Sequence, residues 1–196
     1  MVRSIDSDDL LRCARDAAGT SNVREAVREL TLHALRSRQL TASHIATVAR
    51  TVGEGIESSG VSPLAPVRNV HRGAWAGLEE AIDRALYALE LAAREIAEGR
   101  AVLSRAERDQ LLAEIADLER SLGTGWNSRP RIVSAALKAR IANVNLLLRQ
   151  TAPDIPGVAG LVEHGPDAGG RVSLVASGIL LGLSAGLGEP VGNAGS

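Results

Sequence analysis

Aromatic residues are almost absent from this chain of 196 residues, which has two tryptophans, one tyrosine and no phenylalanine. Ring-lined pockets and platforms that stack nucleic-acid bases both depend on such residues. The formal net charge is −1, so the molecule as a whole does not attract a polyanion. Hydrophobic residues make up 45% of the chain, as in a folded globular protein. We therefore expect no nucleic-acid partner, and the sequence identifies no small-molecule substrate.

Residues and motifs typical of catalytic or metal-binding sites are also scarce. Cys13 is the one cysteine, which excludes an intramolecular disulfide and a thiolate metal site. Because it lies among apolar residues of a predicted helix, it is expected to be a small buried thiol. The histidines at 33, 44, 71 and 164 form no pair at i, i+3 or i+4, and no nucleophile or phosphate-binding motif occurs. We predict a protein that is not an enzyme and that has no catalytic residue, metal ligand or cofactor.

The N-terminus lacks the apolar run of a signal peptide. Asp6, Asp8 and Asp9 stand where that run would be. We expect a cytoplasmic protein, with association to a granule or a membrane left open.

Helix signals divide the chain into five segments. Short helices fit residues 1–57, and the Ser-, Gly- and Pro-rich composition of 58–70 predicts a linker. Residues 71–152 are predicted to form a three-helix bundle, 153–170 a Pro- and Gly-rich tether, and 171–196 a Gly-rich apolar tail. No stretch alternates convincingly like a strand. The predicted fold class is all-α, an antiparallel helical bundle with a coiled-coil-like core.

Several helix boundaries are predicted by end signals. Asn22 and Glu25 form a pair like a capping box at the start of the second helix. The fourth helix is predicted over 72–98. Pro130 suits the first turn of the sixth.

The clearest pattern is a seam of apolar residues in the predicted fourth helix. These residues recur in alternate steps of three and four, which places them on one side of a helix. They are Trp75, Leu78, Ile82, Ala85, Leu89, Ala92 and Ile96. We predict that this seam is buried, either within the bundle or between the subunits of a homo-oligomer.

Charge is distributed unevenly among the predicted helices. The stretches 72–100 and 105–120 each have a net charge of −2, whereas 129–149 has +5 and no acid. The simpler interpretation is a basic helix that folds back on two acidic ones. The alternative is that its cations, which point away from its apolar stripe, bind an anionic surface. These cations are Arg131, Lys138 and Arg149.

The segment 172–188 carries no charge. As a helix it would be about 25 Å long, at the short end of what spans a bilayer. Gly178, Gly182 and Gly186 recur every four residues, a pattern that lets helices approach closely. The segment is predicted to pack on the bundle, to insert into a membrane or granule, or to self-associate through its glycines.

Residues 25–35, the turn at 51–55 and the long Ala-, Glu- and Leu-rich helix from Gly77 resemble an uncharacterised bacterial helical family. That family is similar in style to phasins, the amphipathic proteins that coat polyester storage granules. The resemblance covers roughly residues 20–122 and implies no catalytic residue. The Gly-rich apolar tail departs from a plain phasin pattern.

Three hypotheses of function follow. The first is a non-enzymatic helical protein that assembles with itself or coats an apolar surface, as the resemblance to phasins implies. The second is a membrane-associated protein anchored or oligomerised through Gly178–Gly186. The third is a helical regulator that binds a helix of another protein.

Overall fold

The computed structural model describes residues 6–59, 67–99, 105–123 and 134–150. Within these residues the chain forms six α-helices and no strand, which confirms the predicted all-α class. In chain order the helices are α1 (Ser7–Ala18), α2 (Val23–Arg36), α3 (Ala42–Ser58), α4 (Val67–Ala97), α5 (Arg105–Gly123) and α6 (Ala135–Gln150).

α1 and α3 begin after residues whose side chains accept hydrogen bonds from free backbone N–H groups. The Asp6 carboxylate accepts one from the Ser7 N–H at 2.7 Å. Thr41 Oγ1 accepts one from the His44 N–H at 3.0 Å. Both capping residues have an extended backbone, as a helix cap requires. Local sequence therefore sets where α1 and α3 start.

The capping box predicted for α2 is wrong. Asn22 precedes the helix, but its side chain makes no capping hydrogen bond, and its φ of −104° and ψ of 51° lie outside the extended region. The Glu25 carboxylate pairs with Arg28 one turn further along. This end of α2 is held by packing, because Val23 and Val27 are buried in the core.

The start of α4 also differs from the prediction. The helix begins at Val67 rather than at 72, so it extends into the segment predicted as a linker. Val70, in the added turn, packs against the core. The apolar stripe of α4 therefore reaches further back than the glycines, serines and prolines of 58–66 suggest.

α6 begins later than predicted. Ser134 Oγ accepts a hydrogen bond from the Leu137 N–H at 3.3 Å, and the helix starts at Ala135. Pro130, which was predicted in the first turn of this helix, lies outside the described residues.

The six helices share one hydrophobic core. α2 packs along α4 in the most extensive contact of the fold, and α1 packs on α3. α5 lies against α3, α6 lies against α4, and α5 and α6 contact each other. α5 and α6 therefore form an outer layer on the other helices. The core is continuous across the predicted segment boundaries, and the division into segments stays a prediction.

Two glycines allow helices to cross closely. A Cβ atom at Gly55 in α3 would lie 2.5 Å from the Cβ of Ala14 in α1. A Cβ atom at Gly77 in α4 would overlap the backbone carbonyl oxygen of Arg24 in α2. Backbone atoms have little freedom to move aside, so the α2–α4 contact depends on the missing side chain at Gly77.

Cys13 is exposed, so the prediction of a buried thiol is wrong. The buried residues of α1 are Leu10, Ala14 and Ala18, which recur every four positions. Cys13 is next to Ala14 in sequence but points about 100° away from it around the helix. Apolar neighbours in the sequence do not imply burial on a helix.

None of the described helices is both long enough and apolar enough to cross a membrane. The tether and tail, 153–170 and 171–196, lie outside the described residues.

Candidate interaction surface

The predicted seam of α4 lies inside the chain's own core. Leu78, Ile82, Leu89 and Ile96 are between 0% and 7% exposed. Trp75 is partly buried, and its Nε1–H donates a hydrogen bond to His71 Nε2 at 3.4 Å. The seam therefore packs against the other helices of the same chain, and association with anything else requires a different surface.

Arg140 of α6 joins two acids of α4. Its guanidinium forms a bidentate pair with Asp83, with Nε–Oδ1 at 2.8 Å and Nη2–Oδ2 at 3.2 Å. Its Nη1 donates to Glu90 Oε2 at 3.1 Å, and Glu90 also accepts from Arg94 at 3.4 Å. The same guanidinium lies 4.9 Å from the ring centroid of Tyr87. One arginine thus fixes how α6 sits on α4.

The charges around Arg140 are balanced. Burial by itself lowers the pKa of Arg140, but the hydrogen bonds and negative charges of Asp83 and Glu90 outweigh it and raise the pKa above its ordinary value. Glu90 is buried, and its two arginine partners compensate the loss of water. This cluster confirms that a basic helix folds back on an acidic one at α4. The charge contrast predicted the pairing of helices but did not identify Arg140.

Removing the Arg140 fork should destabilise the protein. We expect Arg140→Met to lower the free energy of unfolding by about 1–2 kcal/mol, because Asp83 and Glu90 lose their shared cation. The loss should be smaller than for a fully enclosed ion pair, since this pair is only partly buried. Urea denaturation measures the change. Arg149→Met, an exposed change on the same helix, is the control and should have little effect. Equal losses in the two variants would show that the network does not hold α6.

α6 also has an apolar stripe on the side away from the core. Its buried residues are Leu137, Ile141, Val144 and Leu148. The opposite side is exposed; besides Asn143 and Gln150, it carries three alanines, one leucine and two cations. We call these six residues the outer face of α6: Ala135, Lys138, Ala139, Ala142, Leu146 and Arg149. Leu146 is 54% exposed, and neither Lys138 nor Arg149 forms an ion pair with another described residue. Leu146 is thus a large apolar side chain that the core of the chain does not cover.

α5 also has an exposed side, on which two aspartates pair with arginines of the same helix. Its buried residues are Ile115, Leu118 and Leu122. We call the opposite side the outer face of α5: Ala106, Asp109, Ala113, Ala116 and Asp117. Arg120 also lies on this side and pairs with Asp117 at 2.8 Å. Asp109 lies 3.7 Å from Arg108 and 3.9 Å from Arg105. α5 as a whole has three arginines and five acids, a net charge of −2.

The remaining predicted site residues lie outside the described residues. These are Arg131 of the basic set and Gly178, Gly182 and Gly186 of the tail. Of the basic set, the structure places Lys138 and Arg149 on one side of α6, as the spacing predicts. Leu146 and the acidic outer face of α5 were not singled out from the sequence, although their helical spacing is visible there.

The described residues do not bring potential metal ligands together. No cluster of three potential metal ligands occurs among them. His44 is half-buried, and its Nε2 lies 3.2 Å from the carbonyl oxygen of Ala34. Burial lowers the pKa of His44, with a smaller opposing effect from that hydrogen bond and a smaller contribution from Arg38 in the same direction as burial. A neutral histidine bonded to backbone is a structural feature of the α2–α3 corner.

The described residues form an all-helical fold whose outer helices carry charged and apolar side chains. The chain belongs to a family of unknown function, DUF6781, whose model matches residues 2–152. The matched residues include all six helices and end where the predicted tether begins. No curated protein matches the chain, and no solved structure does.

Proposed function

We propose that this chain is a non-enzymatic helical assembly protein that acts through exposed helix faces rather than through a reaction site. One observation carries the proposal. The seam of α4 is used inside the bundle, whereas α6 keeps a second apolar stripe, with Leu146 exposed, on its outer side. Leaving such a stripe in water has no structural benefit, so its presence favours a role in association.

In a second form of this proposal, the exposed helix faces coat an apolar surface, as those of phasins do. Lys138 and Arg149 belong to the outer face of α6, which suits an anionic surface, and Arg131 has the same spacing in the sequence. Anchoring through Gly178–Gly186 and binding to a helix of a regulated partner are the alternatives. The outer face contains one large apolar side chain and no ring, so it fits another helix better than it fits lipid.

The test compares association of the full chain with itself and with surfaces. We expect sedimentation velocity to show a concentration-dependent oligomer, and we expect Leu146→Asp to weaken it while circular dichroism stays that of the parent. Parallel samples contain anionic lipid vesicles or polyester granules over a range of salt concentrations. Binding to vesicles that falls with salt and is lost when Arg131, Lys138 and Arg149 become glutamine would support the coating form instead.

The variant Gly182→Leu tests the role of the tail separately from that of α6. It fills the centre of the glycine pattern while it makes the segment more apolar, so membrane partitioning should hold and close helix association should be lost. A chain that stays monomeric and binds neither vesicles nor granules would contradict the proposed function.

A further inference from the structure

The outer layer, formed by α5 and α6, has few neighbours in the rest of the fold. Each of the helices α1–α4, which we call the inner helices, contacts the other three. Within the part of the chain that the structure describes, α5 contacts only α3 among the inner helices, and α6 contacts only α4. The inner helices therefore keep all of their mutual contacts if the outer layer moves away.

The ionic contact between the outer layer and the inner helices is concentrated at one residue. Between described residues, every ion pair that joins the two is made by Arg140, with Asp83 and Glu90 of α4. The ion pairs of α5 run between residues of α5 itself. The other side chains that the layer buries are aliphatic, and aliphatic packing has no preferred direction. The side chain of Arg140 is 26% exposed, so water reaches this contact while the inner helices stay folded.

We propose that the outer layer opens as a unit while the inner helices stay folded, and that Arg140 is the contact that keeps it closed. Proteins open locally where a segment has few contacts with the remainder of the fold. Because α5 and α6 also contact each other, they move together. Gly99 ends α4 just before the layer, with a φ of 76° and no atom within 4 Å of where a Cβ would lie. The chain thus leaves the inner helices at a residue that has open space around it.

Opening exposes apolar surface that the closed chain buries. The buried stripes of α5 and α6 contain seven aliphatic side chains, whereas the outer face of α6 contains one exposed leucine. The open chain therefore offers a much larger apolar surface than the closed one. This inference goes beyond the proposed function, which uses faces that are exposed in the closed chain. Either can hold without the other.

The experiment measures opening by the labelling of buried thiols in the full chain. Cys13→Ser first removes the exposed natural thiol. Val144→Cys then places a thiol in the buried stripe of α6, and Val27→Cys places one among the inner helices, at positions that are 2% and 0% exposed. A thiol reagent reacts at each position only when its surroundings open. At low protein concentration, where association is weak, we expect position 144 to react at least tenfold faster than position 27.

Two further substitutions test Arg140 and the independence of the layer. Arg140→Met should accelerate labelling at position 144 about tenfold, whereas the control Arg149→Met should leave it unchanged. Gly77→Ala strains the α2–α4 crossing in the closed and the open chain alike. It should therefore accelerate labelling at position 27 and leave the rate at position 144 as it is in the parent. Circular dichroism checks that each variant is folded.

Three results would overturn this inference. Equal labelling rates at positions 144 and 27 would show that the outer layer opens only when the whole chain unfolds. A rate at position 144 that Arg140→Met does not change would show that Arg140 does not keep the layer closed. A rise at position 144 as large as that at position 27 in Gly77→Ala would show that the two parts open together. None of these results bears on the proposed function, which sedimentation and vesicle binding test, and a chain that neither associates nor binds vesicles would leave the opening intact.

Discussion

Replacing Gly77 by alanine should lower the free energy of unfolding by about 3 kcal/mol. A Cβ atom at this position would overlap the backbone carbonyl oxygen of Arg24 and lie 3.1 Å from the backbone nitrogen of Arg28. Neither atom can move without shifting α2, so the α2–α4 contact must open. On intrinsic helix propensity alone, the same change would stabilise α4 by about 1 kcal/mol. A loss of stability is therefore evidence for the crossing itself.

Gly73→Ala is the matched control, one turn earlier on the same helix. A Cβ atom at Gly73 would lie 2.8 Å from Cγ1 of Val23, a side-chain methyl that can rotate away. We expect this variant to stay within about 1 kcal/mol of the parent, because helix propensity offsets the remaining strain. Thermal unfolding followed by circular dichroism measures both. The difference corresponds to roughly 5–10 °C for a chain of this length. Equal midpoints for the two variants would contradict the close crossing.

The glycines show where sequence patterns stop being informative. In the sequence, Gly55 is a residue that weakens the end of a helix. In the structure it is the point at which α1 approaches α3. Intrinsic propensity describes one helix at a time, whereas the reason for this glycine is a neighbour that lies some forty positions away. A contact of this kind has no local signal.

Apolar periodicity was sufficient for the helices themselves. The stripe of α3, which contains Ile45, Val48, Val52 and Ile56, is buried, as is the seam of α4. Burial follows from a repeat of three and four because each such residue falls on one side of the helix. The prediction of a buried Cys13 rested on its apolar sequence neighbours and not on this repeat, and the residue is exposed.

The candidate surface was predictable only in part. Spacing predicted Lys138 and Arg149 on one side of α6, and both are exposed in the structure. The acidic side of α5 and the exposure of Leu146 depend on which face each helix turns toward α3 and α4. Packing decides which face of a helix is buried, and the number of charges along the helix does not predict that face. The same is true of Arg140, which lies at the edge of the buried stripe of α6 and reaches α4 from there.

A charge placed in the seam of α4 should have the largest effect of any single substitution considered. Leu89 is 7% exposed and lies in the core that joins all six helices. Leu89→Asp removes a buried apolar side chain and puts an ionised carboxylate in its place. The substitution should cost several kcal/mol and leave the chain largely unfolded at 37 °C, or shift the pKa of the new carboxyl upward.

Leu146→Asp is the control for this change, because it makes the same substitution at a leucine that is 54% exposed. Exposed positions tolerate such changes within about 0.5 kcal/mol, so its unfolding midpoint should stay near that of the parent. Urea denaturation of both variants at low protein concentration, where association is weak, separates stability from assembly. If Leu89→Asp unfolds at the same urea concentration as Leu146→Asp, the seam is not the core of the bundle. If instead Leu89→Asp unfolds early and Leu146→Asp loses only its oligomer, the inner stripe stabilises the fold and the outer stripe serves association.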